Sequence, residues 1–513
     1  MKLLFRLVSL LVIGLGWACS TSDGRVYDVV LANGRVMDPE SGLDAVRNVG
    51  VRNGVIEKIS RKSLLGHELI DASGLVVAPG FIDLHAHGQH FLAQQLQALD
   101  GVTSALEMEL GAYPNKEYYS RRDGKALINY GATVSHICLR AKVKLDLTCP
   151  DLIDYVAKDP VAVATDDEIY SAEKEYAFFD TLTDAELTQL NELVIAELES
   201  GAPGIGFGIE YTPGASRKEI FDIFQIAADY RAPAFVHVRR RPLDGAQGVP
   251  LAVVQEVIAN AAVTGAPLQI VHVASTGFSS TSTVVDMIAA AQERGLDITG
   301  EVYPYTAGSN SIGTNMLNEG WRERFEADYS DLEWVATGER LTEETFFKYR
   351  KEQPSGTINL HVIPEEAVNY AVAHPVISIA SDGMPWVTNK EHPRGTGTFA
   401  RVLGKYVRED GLLNLMTAIK KITLMPAQRM EEFAPAFARK GRIREGADAD
   451  ITIFDPDTVI DNATFQNPMR SSGGIPHVLV GGVFVVKHGL LVPNVFPGEG
   501  LKSRVVSAPT DEN

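Results

Sequence analysis

The chain has 513 residues and is short of three things: cysteine, positive charge and long apolar runs. Only Cys19, Cys138 and Cys149 occur, so the fold cannot rest on a disulfide framework. Cys138 and Cys149 could pair in an oxidising compartment, but two separate buried thiols are the expected state. Lysine and arginine total 47 against 66 aspartates and glutamates, a net charge of −19. A surface this acidic repels phosphate backbones and excludes nucleic acid as a partner. It carries no substrate inference, because acidity of this kind also serves solubility alone. Low-complexity stretches and short solenoid repeats are absent from the sequence.

The apolar run from Leu7 to Ala18 is too short to be read as a membrane span. Lys2 and Arg6 precede it and Cys19-Ser20-Thr21-Ser22-Asp23 follows, the pattern of an export signal. Ala18 directly before Cys19 resembles the cleavage site of bacterial lipoproteins, with Leu15 one place further from the cysteine than usual. The expectation is an exported protein of the periplasm or outer cell envelope. Residues 1–24 would be signal and tether, and membrane contact would come only through a lipid on Cys19.

The length suits a large domain with a smaller companion. Val29-Val30-Leu31, the pair Asn33-Gly34, then Val36 and Asp38 read as a hairpin, and Val49 to Ile59 repeats the pattern around Asn53-Gly54. Asp450 to Phe454, Val478 to Val480 and Val483 to Lys487 read as strands, the last two joined at Gly481-Gly482. Both chain ends are therefore β-rich, and the economical arrangement is one β-domain built from them. Between them, short apolar bursts alternate with helical stretches. The bursts are Val76-Val77-Ala78, Ala234-Phe235-Val236, Gln269-Ile270-Val271 and Val376-Ile377-Ser378-Ile379. The helical stretches include Arg217 to Tyr230, Leu251 to Thr264 and Thr281 to Arg294. Such alternation implies a parallel sheet covered by helices. The expected class is α/β: a TIM-type (β/α)8 barrel over 78–438, with a small β-sandwich from 25–77 and 439–500 and a tail at 501–513. The charged and aromatic segment from Ile312 to Glu352 reads as a lid or insertion near the site.

The chemistry is concentrated in a few places. In Ala78-Pro79-Gly80-Phe81-Ile82-Asp83-Leu84-His85-Ala86-His87, two histidines two apart at a strand end point to the same face. In a barrel that face is the active-site mouth. His237 follows Ala234-Phe235-Val236 and His272 follows Gln269-Ile270-Val271. Each alone is more often a structural histidine, but four at the ends of three apolar strands are hard to explain by packing, and imidazole suits zinc and related divalent metals. Asp382 ends Ser378-Ile379-Ala380-Ser381. An aspartate there could be a helix cap; in this company it reads as a ligand and proton shuttle.

The order His85-x-His87, His237, His272, Asp382 resembles the amidohydrolase superfamily. More narrowly, the chain is similar to the N-acyl-D-amino-acid deacylase (D-aminoacylase) family. The supporting stretches are Gly101-Val102-Thr103-Ser104, Gly208-Ile209-Glu210-Tyr211-Thr212-Pro213-Gly214, Val302-Tyr303-Pro304-Tyr305-Thr306-Ala307, His392-Pro393-Arg394, the run from Gly397 to Gly404, and Gly441-Arg442-Ile443 with Gly446-Ala447-Asp448-Ala449-Asp450. The resemblance implies one or two divalent ions, zinc foremost, and a small-molecule substrate bearing a carboxylate. Two departures stand out. Where family members carry a cysteine ligand, this chain has Leu106-Glu107-Met108-Glu109-Leu110-Gly111. Both glutamates lie on one face of the strand; Glu109, nearer the mouth, is the preferred ligand and Glu107 the alternative. Where close relatives place a lysine that holds the substrate carboxylate, this chain has Ala274. Tyr303 and Arg394 match the family's other carboxylate-binding groups. Arg239, first of Arg239-Arg240-Arg241, is the arginine expected to help fix an anionic substrate, against the plainer reading of a solvated basic patch.

The expected activity is hydrolysis of a linear amide in an N-acyl-D-amino acid, by attack of a metal-bound hydroxide with Asp382 shuttling the proton. Rivals on the same scaffold are a dipeptidase, a cyclic-amide (hydantoin-type) hydrolase or a deaminase of bases. A non-catalytic solute-binding lipoprotein would leave the metal-ligand pattern without a purpose.

Overall fold

A computed structural model describes residues 25–146, 148, 178–239, 249–386 and 389–504. The centre is a parallel eight-stranded sheet. In chain order its strands are Phe81–Asp83, Val102–Ala112, Asn129–Ser135, Ile205–Gly208, Ala234–His237, Leu268–Ile270, Ile298–Val302 and Ile377–Ile379. Most of these strands are buried throughout, as expected for a parallel sheet covered on its outer face by helices and filled on its inner face by side chains. The helices Arg217–Tyr230, Val249–Thr264 and Thr281–Glu293 fall where the apolar periodicity placed them. Thr183 begins the helix Asp184–Glu199 with a reciprocal capping box to Glu186.

The first and eighth strands meet just beyond their ends. Asp382 N donates to His85 O at 2.8 Å and His87 N to Gly383 O at 2.8 Å. Below them Ser381 N donates to Asp83 Oδ1 at 3.0 Å. The barrel thus closes through the segments that carry the histidine pair and the aspartate.

Both chain ends form one nine-stranded sheet. Two details differ from the sequence expectation. Val26–Asp38 is a single strand, not a hairpin: Asn33 has φ 61° and the register slips between Leu31 and Gly34, so Asn33-Gly34 makes a bulge. The tight turn is at Asn53-Gly54, where both residues have positive φ, as a two-residue hairpin requires. Val76–Pro79 belongs to this sheet too, pairing with Ile451–Phe454 rather than opening the barrel. Gly80 makes the transfer. A Cβ there would lie 2.2 Å from Thr103 Oγ1 at the start of the second barrel strand.

The segment read as a lid is wider than 312–352. It is a four-stranded antiparallel sheet of Gly308–Ser311, Thr357–Leu360, Leu332–Trp334 and Glu339–Arg340, with helices Trp321–Phe325 and Glu343–Glu352. Trp321, Phe325, Trp334 and Phe346 give it an apolar core of its own. Cys138 is disulfide-bonded, contrary to the expectation of separate thiols; burial of a thiol does not exclude pairing, and both other cysteines lie outside the described residues.

Asp450 ties the two units together. Its carboxylate takes Lys440 Nζ at 2.7 Å and Asn129 Nδ2 of the third barrel strand at 2.9 Å in the interior, and Gly481 N at 2.7 Å nearer the surface. Lys440→Met is therefore expected to destabilise the protein by about 3–5 kcal/mol, because it leaves a buried carboxylate without its cation. Urea unfolding, followed by fluorescence, should show the midpoint moving to lower denaturant; an unmoved midpoint would mean the pair is dispensable.

Candidate metal centre

His85, His87, Glu109, His237, His272 and Asp382 converge at the C-terminal end of the barrel, and all are buried. They form two overlapping groups: His85, His87, Glu109 and Asp382, and Glu109, His237 and His272. Glu109 belongs to both. Its Oε2 is 2.5 Å from His85 Nε2 and 3.2 Å from His87 Nε2, while Oε1 is 2.6 Å from His237 Nδ1. Asp382 Oδ1 lies 3.4 and 3.3 Å from His85 Nε2 and His87 Nε2, which are 3.2 Å from each other. His272 Nε2 is 3.1 Å from His237 Nδ1.

These separations test whether the donors suit a metal. Ligand atoms around a tetrahedral ion at about 2.0–2.1 Å stand about 3.3 Å apart. The contacts among His85, His87, Glu109 and Asp382 cluster near that value, apart from the closer His85–Glu109 contact. The set is all nitrogen and oxygen, so it fits a zinc-class divalent ion and is harder than a set containing a thiolate. Charge points the same way. Glu107, Glu109, Glu301 and Asp382 are all buried, yet among the described residues the only arginine or lysine paired with any of them is Arg394. Burial alone would lower the pKa of His85, but the charges of Asp382 and Glu109 and hydrogen bonds to Glu109 and Glu301 outweigh it and raise it well above the ordinary value. His87 is raised in the same way, chiefly by Glu107 and Asp382 working against burial. His272, desolvated and beside His237, is pushed down to about 4. Burial would raise Asp382, but Arg394 and His85 hold its pKa low.

The backbone is unusual at two of these positions. His272 has φ 33° and Asp382 φ 52°. Non-glycine residues at positive φ cost energy and persist where the surroundings impose them. In both cases the chain leaves its strand abruptly at a side chain aimed into the centre.

Glu107 is not placed as a ligand. Its Oε2 is 2.9 Å from His87 Nδ1, and its Oε1 accepts from Leu110 N at 3.1 Å. Sequence reasoning missed the matching group on the other histidine. Glu301 Oε1 lies 2.6 Å from His85 Nδ1, and its Oε2 accepts from Gln269 Nε2 at 3.0 Å. Each carboxylate holds one ring nitrogen, which fixes the ring and turns Nε2 toward the centre. The signal was present: Glu301 is a lone charge in the strand Ile298–Val302, two residues before Tyr303 and so on its face.

A cavity of about 490 Å³ opens above the centre, with Tyr303 and Arg394 on its wall. Arg394 Cζ lies 4.6 Å over the Tyr303 ring. Its Nη1 is 2.8 Å from Asp382 Oδ2 but not in a hydrogen-bonding direction, and its buried Nε and Nη1 have no hydrogen-bond acceptor among the described residues. Ala274 is buried and brings no cation to the lysine position. Arg239 does not join the site. It pairs with Glu256 at 3.0 Å and donates to Ala215 O at 3.2 Å, because a half-buried guanidinium just past the strand end finds its counter-ion on the helix Val249–Thr264. Arg240 and Arg241 lie outside the described residues.

Comparison with known proteins agrees with this arrangement. The pattern of the Amidohydrolase family matches residues 241–486. The chain is 30% identical to the D-aminoacylase of Alcaligenes xylosoxydans xylosoxydans over 90% of its own length and 95% of that protein's. It is 28% identical to the N-acyl-D-glutamate deacylase of the same organism, over 94% and 98%. Among solved structures it is similar to N-acyl-D-glutamate deacylase from Bordetella bronchiseptica complexed with zinc and a phosphonate mimic of the tetrahedral intermediate, with a TM-score of 0.76, 26% identity and 93% and 100% of the two chains covered. The chain belongs to the D-aminoacylase family of the amidohydrolase superfamily.

Proposed function

We propose that the protein is a metal-dependent hydrolase that removes the acyl group from an N-acyl-D-amino acid. The observation that carries this reading is the juxtaposition at one cavity floor of two ligand groups sharing Glu109 with the buried donors of Arg394, which have no hydrogen-bond acceptor among the described residues. The first matches amide hydrolysis and the second a carboxylate on the substrate. His85, His87, Glu109 and Asp382 would hold one ion, and Glu109, His237 and His272 a second. Zinc-class ions held there supply Lewis acidity, polarising the amide carbonyl and lowering the pKa of water.

The protein's own groups do the rest. Arg394 receives the substrate carboxylate through Nε and Nη1, and Tyr303, stacked beneath it, fixes the guanidinium plane. This orients the amide over the centre and sets which face is attacked. Asp382 takes a proton from the attacking water. As the C–N bond breaks and the new C–O bond forms, it passes that proton to the departing nitrogen, giving a free amino acid and a carboxylic acid. Glu107 and Glu301 keep the His87 and His85 rings in place throughout.

We also propose that the protein is exported. Lys2, Arg6 and the run from Leu7 to Ala18 support this, and the disulfide at Cys138 is a bond that persists in oxidising compartments.

Zinc-loaded protein should release amino acid from N-acetyl-D-amino acids and not from their L-enantiomers. Turnover confined to dipeptides or hydantoins would instead select one of the rival reactions. Asp382→Asn should lower kcat by about 10²–10⁴-fold, the usual worth of a positioned acid–base group. A variant that keeps its metal and its full turnover would remove Asp382 from the proton transfer. Glu301→Leu should weaken metal binding by about 10–100-fold in competition with a chelator, with Glu301→Gln milder because its amide oxygen still accepts from His85 Nδ1.

A further inference from the structure

The lid contributes a second guanidinium to the cavity wall, Arg350 of the helix Glu343–Glu352. Its Nη1 donates to Ile312 O at 3.2 Å and its Nη2 to Thr314 O at 3.3 Å, and Nη2 also contacts Asn318 Oδ1. All of these are neutral oxygens. No carboxylate among the described residues pairs with Arg350, although acids outnumber bases 66 to 47 in this chain. A guanidinium has five donors, and neutral acceptors do not balance its charge. Burial lowers the Arg350 pKa.

Position defines what the group can meet. The Tyr211 ring lies 5.0 Å from that of His237, and the Tyr211 hydroxyl accepts from Asn310 Nδ2 at 3.3 Å. Asn310 leads into the loop at Ile312–Thr314 that Arg350 grips. Arg350 therefore reaches the cavity wall from the lid, through the loop that follows Asn310. The cavity wall there includes Phe278, Met316, Phe325 and Leu360. Apolar walls lower the local dielectric and lengthen the reach of a charge.

We propose that Arg350 forms a second anion subsite, which takes a carboxylate at the end of the substrate remote from the one that Arg394 holds. This rests on the deacylase reading given above. The carboxylate belongs either to the side chain of the amino acid or to the far end of the acyl group. Both sources present the same chemistry to the guanidinium.

The test uses the zinc-loaded full chain and compares kcat/KM for two pairs that differ only in charge. N-acetyl-D-glutamate against N-acetyl-D-glutamine probes the side chain, and N-succinyl-D-methionine against its terminal amide probes the acyl end. In one pair the acid should be preferred by about 10–100-fold, the range of a charge-assisted hydrogen bond. Arg350→Met should abolish that preference while leaving the amide unchanged, and Arg350→Lys should restore part of it. The proposal is overturned if neither acid is preferred. It is equally overturned if Arg350→Met slows acid and amide alike, the behaviour of a residue that only clamps the loop. Should none of these compounds turn over, the deacylase reading fails by itself. Calorimetric binding of the same compounds then decides the subsite: an acid preference that Arg350→Met removes sustains it, and equal binding of acid and amide overturns it.

Discussion

The site depends on one buried carboxylate. Glu109 lies between His85 at 2.5 Å and His237 at 2.6 Å, and it is the only residue common to both ligand groups. A carboxylate stripped of water must be neutralised by what surrounds it. Here the surroundings are histidines brought in by three other strand ends, so the charge of Glu109 and the convergence of the barrel mouth require each other. Glu301 and Glu107 extend this arrangement one step outward. They add negative charge but fix the histidine rings, so the centre is rigid and short of positive charge at once. Those are the properties a divalent cation needs from its host.

Closure of the barrel and assembly of the centre are also the same event. The backbone hydrogen bonds that join the first and eighth strands come from Asp382 and His87 themselves, and the positive φ at Asp382 sits at that seam. Residues at this junction therefore close the barrel with their backbones and form the candidate metal centre with their side chains. This gives Glu301 a particular standing: it reaches His85 from the seventh strand, next to the seam, and is not needed for the seam's own hydrogen bonds.

Much of this was legible in the sequence, for identifiable reasons. Histidines that follow apolar bursts mark strand ends, and the parallel barrel places all strand ends on one face, so His85, His87, His237 and His272 could be gathered without coordinates. Period two separated the face of Glu107 and Glu109 from its opposite but could not measure depth. Only the structure shows that a step of two residues turns a group that contacts both ligand clusters into one that orients His87. Arg239 misled because sequence adjacency to His237 says nothing about the helix that follows, and Glu256 is on that helix. Asn33-Gly34 misled because the dipeptide that turns a hairpin also serves as a bulge; the choice lies with the partner strand. Glu301 and Arg350 went unseen for a shared reason. The meaning of each charge comes from groups more than 30 residues away in the chain.

The two departures from the family pattern act on different parts of the reaction. Glu in place of Cys changes the donor set near the reacting bond, from one containing a soft sulfur to one of nitrogen and oxygen throughout. Ala274 in place of Lys removes a cation from the carboxylate pocket, and no lysine among the described residues lines the cavity. What remains is Arg394, already committed in part to Asp382 at 2.8 Å. In the proposed reaction, a substrate carboxylate that engages Arg394 would therefore approach Asp382, the group assigned the proton. Like charges this close would be tolerable only because the guanidinium lies between them, so the proposed substrate recognition and proton transfer would share one cation. In that geometry the distance between the α-carboxylate and the scissile amide is constrained from both ends. Substrate differences are then left to the remaining space, the apolar walls and the lid, where Arg350 is the one charge among the described residues that faces the cavity from that side.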